Sequence, residues 1–494
     1  MTPLSRRAVL GALLSSLALP LHATPPAISL RPRLRPEDVA EVPGPETLVA
    51  EAGISGISSV AVARVGAGDL LEGVAPDAAL PPASVGKTLT ALYALEVLGP
   101  QHRFATRVLG TGALRNGRLE GDLILVGGGD PGLDTTDLAG LAGKLKAAGL
   151  REIRGKFLFY GGALPEARLI DADQPDHVGY NPGVSALSLN YNRVHFEWAR
   201  QAGKWAVTMD ARTRDYRPDV TIARMQVVDR TTPVYTYADR QGRDEWTVAQ
   251  GALGNGGSRW LPVRRPAAYA AEVFATMARA NGIVLPVAEE ARGLPAASEL
   301  ARHESRPLVE IAKLMLHYSN NLTAELLGLA ASAKQGSRPA SIRASAKAMS
   351  DWARATHGLR DVAMVDHSGL GDASRFAASD LVRMLSDPDV HERLAPLLKD
   401  IKLLDSQGRA LPAPRIQVAA KTGTLNFVSG LAGYVTGPGG QDLAFAVISG
   451  DLPRRAALSR SERERPQGGR AWTARARGLQ QVMVQRWGAL YAQG

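Results

Sequence analysis

Ser84 and Lys87 stand three residues apart in Pro81-Pro82-Ala83-Ser84-Val85-Gly86-Lys87-Thr88-Leu89, a spacing that puts both side chains on one face of a helix. Two prolines end an extended segment, and a helix-forming run follows from Ser84 to Leu98. Ser84 is therefore expected in the first turn, where free backbone N–H groups point outward. A serine hydroxyl is a poor nucleophile until a base takes its proton. A lysine takes it only as the neutral amine, which burial or a neighbouring cation provides. Ser-x-x-Lys holds both groups on one rigid element. Taken alone, such a short match is common by chance, and a solvated Ser and Lys on a helix is its plainer reading.

Two further motifs supply what that pair lacks. Ser319-Asn320-Asn321 interrupts an apolar helical stretch from Leu308 to Ala331. A helix cap would explain it, yet Leu322, Ala324, Leu326 and Leu327 carry the apolar pattern straight on, as if the polar residues face a cleft. Lys421-Thr422-Gly423-Thr424 begins a strand directly after Val418-Ala419-Ala420. Solvated edge residues are the plainer reading there, but Gly423 leaves the edge open for another backbone to approach.

In this order, Ser-x-x-Lys, Ser-x-Asn and Lys-Thr-Gly resemble the signature of penicillin-binding proteins and serine β-lactamases. Ser319 follows Ser84 by 235 residues, far more than a compact β-lactamase leaves. An insertion of that length resembles the D-alanyl-D-alanine carboxypeptidase/endopeptidase family, the class C low-molecular-mass penicillin-binding proteins. Similar local stretches are Gly121 to Pro131 (GDLILVGGGDP), Val184 to Asn190 (VSALSLN), Ser319 to Leu327 (SNNLTAELL) and Asp366 to Leu370 (DHSGL). The resemblance covers nearly all of the mature chain. It departs at Asn320, where the family often has Asp, and at Tyr160-Gly161-Gly162, where it commonly carries an acidic residue.

The resemblance implies an α+β fold: a penicillin-binding/β-lactamase-like transpeptidase domain, an antiparallel sheet flanked by helices, with a large inserted accessory region that is partly β-rich. It implies an exported serine DD-peptidase acting on peptidoglycan stem peptides, as a D-alanyl-D-alanine carboxypeptidase, a DD-endopeptidase or both, with β-lactams as covalent inhibitors. Ser84 would attack the peptide carbonyl and Lys87 would take its proton. Ser319, held near Lys87 and Lys421, would relay that proton to the leaving amine. Asn321 would bond the substrate amide, and Lys421 with Thr422 the terminal carboxylate. The strand from Gly423 would pair with substrate backbone, the oxyanion lying between the N–H groups of Ser84 and Thr424. Two other readings stand beside it, a serine β-lactamase and a non-catalytic peptidoglycan-binding relative. The length of the insertion and the lack of an evident Glu-based deacylating motif after Asn321 argue against the first. The intact Ser84, Lys87, Ser319 and Lys421 argue against the second.

The elements that must position these groups follow from periodicity. Strands are expected at Ile54 to Val65, Phe104 to Leu109, Leu123 to Val126, Ile153 to Tyr160, Val184 to Leu189 and Val194 to Ala199. Three more, at Gln417 to Ala420, Ser429 to Val435 and Asp442 to Ile448, read as consecutive strands of an antiparallel sheet. Helices are expected at Leu138 to Ala148, Ala267 to Asn281, Ser341 to His357, Ala378 to Leu385, Val390 to Leu397 and Ala471 to Leu490. The charged segment Arg454 to Arg470 reads as a solvated loop. Gly127-Gly128-Gly129-Asp130-Pro131-Gly132 is a literal G-x-G-x-x-G, but Asp130 adds a negative charge and Pro131 removes a donor, so a plain turn is expected. Asp366-His367-Ser368 holds triad residue types, yet immediate neighbours point apart and cannot relay a proton. Nine histidines without a His-x-x-x-His pair suggest no metal, and no cofactor is expected.

The chain of 494 residues is long enough for two or three domains with real cores. Its net charge of +10 suits an anionic environment. Scattered basic residues and few aromatics give no specific sign of nucleic-acid binding. Cys is absent, which fits export without requiring it. Arg6-Arg7, an apolar run from Ala8 to Leu21 and His22-Ala23-Thr24 form a signal peptide, with cleavage expected after Ala23 and the periplasm as destination. Ser5 to Leu10 also resembles a twin-arginine signal, and an ordinary Sec signal stays open beside it. No later stretch is long enough to span a membrane without charges, so none is expected in the mature protein. The expected division is a signal peptide at 1–23, a catalytic domain from 24–103 and 303–494, an accessory domain from 104–189 and 266–302, and a small β-rich insert at 190–265. A Pro-rich lead from Pro25 to Pro45 is expected to be extended.

Overall fold

The computed structural model describes residues 42–492 apart from 338, 406 and 413. The expected signal peptide and most of the Pro-rich lead lie outside the described residues. At its end Gly44 is extended, as expected, and Pro45 opens a short helix, Pro45–Glu51, because the fixed φ of proline suits a first helical position.

A six-stranded sheet is built from both ends of the chain. Its strands are β1 (Ile57–Arg64), β2 (Leu70–Val74), β3 (Lys399–Asp400), β4 (Gln417–Leu425), β5 (Val428–Thr436) and β6 (Asp442–Gly450), in the order β3-β4-β5-β6-β1-β2. Every pairing is antiparallel. The N-terminal strand closes on the last one in register Val60↔Val447, so the fold cannot form from either end alone.

Strand periodicity sends alternate side chains to opposite faces. On β6, Ala444, Ala446 and Ile448 join one apolar cluster, and Leu443, Phe445 and Val447 join another. The first cluster receives helices α1 (Lys87–Leu98), α2 (Leu308–Tyr318) and α3 (Asn321–Lys334); the second receives the last helix, α4 (Gly469–Tyr491), through Leu479, Met483 and Trp487. Trp487 is fully buried, and its indole N–H donates to Glu72 Oε2 at 2.9 Å.

Helix α1 is buried on every side from Lys87 to Leu95, which makes it the central helix of the domain rather than an amphipathic surface one. The expected strand at Ile54 to Val65 and the last three expected strands are present, the latter extended by a few residues at their ends.

Residues between α1 and α2 carry their own sheets. A mixed five-stranded sheet has the order Ala288–Glu290, Phe157–Tyr160, Leu123–Val126, Ala105–Gly110, Ser298–Glu304, and helices Thr135–Ala147 and Pro266–Ala280 belong to the same region. Two three-stranded sheets lie within 190–265. Phe196, Met209 and Trp246 from that β-rich segment share one apolar cluster with Leu145, Phe157 and Phe274.

Two expected strands differ. Ile153 to Tyr160 is split into Glu152–Ile153 and Phe157–Tyr160, because at Gly155 the chain runs so close to Gly121 and Asp122 that no side chain fits. Val184 to Leu189 is not a strand but a run of bends with one bridge, Val184 to Ala167. It lies in contact with other elements instead of a ladder: Val184 and Ala186 pack against Leu322 and Leu326 of α3.

Candidate active site

Ser84 lies in a 3-10 turn, Ala83–Gly86, that leads into α1 at Lys87. This turn is pressed onto the sheet. Gly423 of β4 is paired with Gly430 of β5. A Cβ at Gly423 would stand 2.8 Å from Pro82 O and 3.0 Å from the backbone N of Ser84 and Val85. One at Gly430 would stand 2.9 Å from Val85 Cγ2. The glycine expected to admit a substrate backbone is therefore occupied on that face by the chain's own turn at Pro82 to Val85. From below, Gly369 (φ 74) comes so close to Ala83 O that a Cβ would lie 1.9 Å away, and Ala83 itself has a positive φ of 47.

Lys87 is fully buried. Its Nζ lies 2.9 Å from Ser84 Oγ, 2.7 Å from Asn321 Oδ1 and 2.7 Å from the Ser368 carbonyl. The Asn321 amide is oriented by the Tyr180 carbonyl, which accepts from its Nδ2 at 2.9 Å. A carbonyl only accepts, so Oδ1 is left to face the lysine. The two carbonyl oxygens can hold the two N–H groups of a neutral amine, and its lone pair is then directed at the Ser84 hydroxyl. Burial lowers the Lys87 pKa to about 8, against an opposing pull from the carboxylates of Asp366 and Glu325.

The polar interruption in the helix is two things at once. Asn320 is the N-cap of α3, its Oδ1 accepting from the Thr323 N–H at 2.9 Å. Ser319 closes α2 in the left-handed region, φ 58 and ψ 38, a conformation costly for a non-glycine residue and held by its surroundings. Its hydroxyl lies 3.0 Å from Lys421 Nζ, which also donates to the Thr422 carbonyl at 2.7 Å. Ser319 was expected near both lysines; the described hydrogen bonds join it to Lys421, while those of Lys87 go to Ser84, Asn321 and Ser368. Lys421 is buried, and burial, then the charges of Lys87 and Lys399, lower its pKa to about 7.

Thr422 and Thr424 are exposed on β4. Strand β3 pairs only with Ala419 and Ala420, so the outer edge of β4 beyond Ala420 has no ladder partner among the described strands. Such an edge can accept an added extended strand.

Two residues that shape the site were missing from the expected set. Glu325, on α3 and fully buried, accepts from the backbone N–H of His367 and of Ser368, each at 3.0 Å. Asp366 accepts from the N–H of Gly369 and Gly371, each at 2.6 Å. Together they hold the loop that presents the Ser368 carbonyl to Lys87. Burial and Asp366 push the Glu325 pKa up to about 8. A glutamate inside an otherwise apolar helical run was the available signal, within the Ser319 to Leu327 stretch. His367 is buried and held neutral, its pKa lowered to about 3 by burial, with Nε2 at 2.8 Å from Ser345 Oγ. Its ring contacts place it outside the Ser84 constellation.

Ser84, Ser319, Asn321 and Thr424 open onto one cleft of about 1190 Å³. Its far wall is the segment Arg454 to Arg470, most of whose residues are exposed, as expected from its charge, but which is anchored through three of its arginines. Arg455 is buried, with Nε 2.7 Å from Asp372 Oδ1. Arg460 donates to Asp176 at 2.8 Å, and Arg463 faces Asp372 at 3.5 Å and Asp173 at 3.7 Å. These pairs tie the segment across the cleft to residues 173–176, so its charges are used in place.

This arrangement has counterparts among known proteins. The model of the D-Ala-D-Ala carboxypeptidase 3 (S13) family matches residues 48–468. The chain belongs to that family. It is a serine peptidase. It is 29% identical over 444 residues to the D-alanyl-D-alanine carboxypeptidase of an Actinomadura strain, covering 80% of this chain and 77% of the relative. It is 26% identical over 413 residues to the D-alanyl-D-alanine carboxypeptidase DacB of Haemophilus influenzae, covering 77% and 84%. The crystal structure of penicillin binding protein 4 from Haemophilus influenzae has the same fold, with a TM-score of 0.70 at 21% identity over 91% of this chain and 99% of that one. A complex of that protein with a β-lactam aligns with a TM-score of 0.68 at 22% identity, covering 90% and 98%. The α+β penicillin-binding fold with a large accessory region is thus the fold of this chain.

Proposed function

We propose that this peptidase cleaves the D-alanyl-D-alanine bond of peptidoglycan stem peptides through an acyl-enzyme on Ser84. The observation that carries the reading is the environment of Lys87, a buried amine whose two other partners can only accept. Lys87 takes the Ser84 proton as Ser84 Oγ bonds to the carbonyl carbon. The tetrahedral oxygen rests between the N–H groups of Ser84 and Thr424, each such donor contributing roughly 10²–10³ in rate. As the C–N bond breaks, the Ser319 hydroxyl, held by Lys421, passes its proton to the leaving D-alanine amine and takes up the one Lys87 received from Ser84, which leaves Lys87 neutral again. Asn321 bonds the substrate amide, Lys421 and Thr422 hold the terminal carboxylate, and substrate backbone pairs along β4 from Gly423. Water then hydrolyses the ester. A β-lactam acylates the same serine.

The protein is read as exported to the periplasm by its signal peptide. Among the described residues no helix is long and apolar enough to cross a membrane. Residues 104–189 with 266–302, and the β-rich 190–265, are read as accessory structure inserted into one catalytic domain. Their task is to restrict entry to the cleft, and the bonds from residues 173–176 to Arg460 and Arg463 support that reading. Incubating the mature protein with defined muropeptides and weighing the products tests it. Loss of one D-alanine marks a carboxypeptidase, and cleavage of a dimer at its cross-link marks an endopeptidase. Unchanged muropeptides would refute the proposal.

A further inference from the structure

A second cavity of about 910 Å³ lies behind the connection between α2 and α3, within the ~300–1,000 Å³ range of small-ligand sites. Consecutive residues of that connection face different chambers: Ser319 and Asn321 line the catalytic cleft, whereas Tyr318 and Asn320 line this one. Its other wall comes from the accessory region.

That wall holds an unusual backbone. Asn190, Tyr191 and Asn192 have φ values of 51, 55 and 52, three successive left-handed residues without a glycine, which is costly. Both asparagines are buried and bonded: Asn190 Nδ2 donates to Thr135 Oγ1 at 2.9 Å, and Asn192 Nδ2 to the Gly183 carbonyl at 2.8 Å. Anchored on both sides, Tyr191 is thrust outward and is 38% exposed. Trp260 lines the same wall, and the Arg193 guanidinium lies 5.4 Å from the Tyr191 ring centre and 5.5 Å from that of Trp260. Arg193 Nε has no hydrogen-bond partner among the described residues. Opposite stands Tyr318, 79% exposed.

Exposed aromatic rings held at a cost mark a binding surface. The charges define the class of ligand. Four carboxylates and four guanidiniums line the cavity together with His303, so formal charge nearly cancels. The site suits a neutral ligand with apolar faces and a polar rim, which is the character of a pyranose ring. We propose that this cavity binds sugar rings of the glycan strand whose stem peptide enters the adjoining cleft, Tyr191 and Tyr318 stacking on the sugars. Naming the polymer rests on the peptidoglycan reading above; the binding of a sugar chain does not.

The test is calorimetric titration of the mature protein with tetra-N-acetylchitotetraose and with glycan strands stripped of peptide by an amidase. Saturable binding is expected for wild type and equally for Ser84→Ala, since no acylation is involved. Tyr191→Ala and Tyr318→Ala should each weaken it about tenfold or more, while the Phe variants, which keep the ring face, retain it. Tyr318 is exposed enough that its removal leaves the fold intact, so it decides the matter if Tyr191→Ala fails to fold. Absence of saturable binding to both sugars, or binding unchanged in Tyr318→Ala, would overturn the proposal. A protein that binds the sugars but is not labelled by penicillin would refute the peptidase mechanism and leave this site standing.

Discussion

The Lys87 amine lies 2.9 Å from the Ser84 hydroxyl, with its other two contacts made to oxygens that cannot donate, those of Asn321 and Ser368. In the proposed mechanism that asymmetry sets the direction of proton transfer. The hydroxyl is the one neighbour able to give a proton to the amine, and burial keeps the amine's pKa low enough to take it.

The rate of acylation should therefore follow the neutral fraction of Lys87. Its pKa is lowered to about 8, so the rate is expected to rise with pH up to about 8 and to level off above it. Below that point it should fall close to tenfold per pH unit. Stopped-flow acylation by a chromogenic β-lactam measures this limb. Lys87→Arg should be as inactive as Lys87→Ala across the range, because a guanidinium stays protonated. Near-wild-type acylation by the Arg variant would reduce Lys87 to an electrostatic support.

Gly423→Ala should fold, since alanine is tolerated within a strand, but should acylate poorly. The added methyl would stand 2.8 Å from Pro82 O and push the Ser84 turn away from Thr424. A displacement of about 1 Å at a reacting group costs on the order of 10²-fold in rate. A folded protein destabilised by about 1–3 kcal/mol, as overpacking typically costs, with acylation reduced by that order is the expected pair of results.

Above about pH 8, where Glu325 is ionised, Glu325→Gln keeps the side chain's volume but offers one oxygen where two backbone N–H groups are accepted. One buried donor is left unpaired, at a cost of about 1–3 kcal/mol. Denaturant unfolding should show that loss. Acylation should fall as well, because the loop that carries the Ser368 carbonyl loses one of its ties.

The three motifs could be read from the sequence because each carries its own local signal. Two prolines precede Ser84, polar residues break the apolar run at Ser319, and Lys421 to Thr424 stand within an alternating strand, β4. The sheet was legible for the same reason, alternation along β4, β5 and β6. What sequence could not give were contacts between distant segments. The close approach of the turn at Pro82 to the face of Gly423 is one such contact, and it leaves the edge of β4 beyond Ala420 without a ladder partner among the described strands. The ties of Arg455, Arg460 and Arg463 to Asp372, Asp176 and Asp173 are others, within a segment that is otherwise mostly exposed, as its charge suggests. Glu325 and Asp366 serve backbone N–H groups, and no residue pattern announces that.

Intact-mass spectrometry of the mature protein after exposure to penicillin tests the central claim most directly. The account predicts a single covalent adduct, mapped by peptide digestion to Ser84, and its complete absence in a folded Ser84→Ala variant. An adduct of equal yield in that variant, or one mapped to another residue, would contradict it.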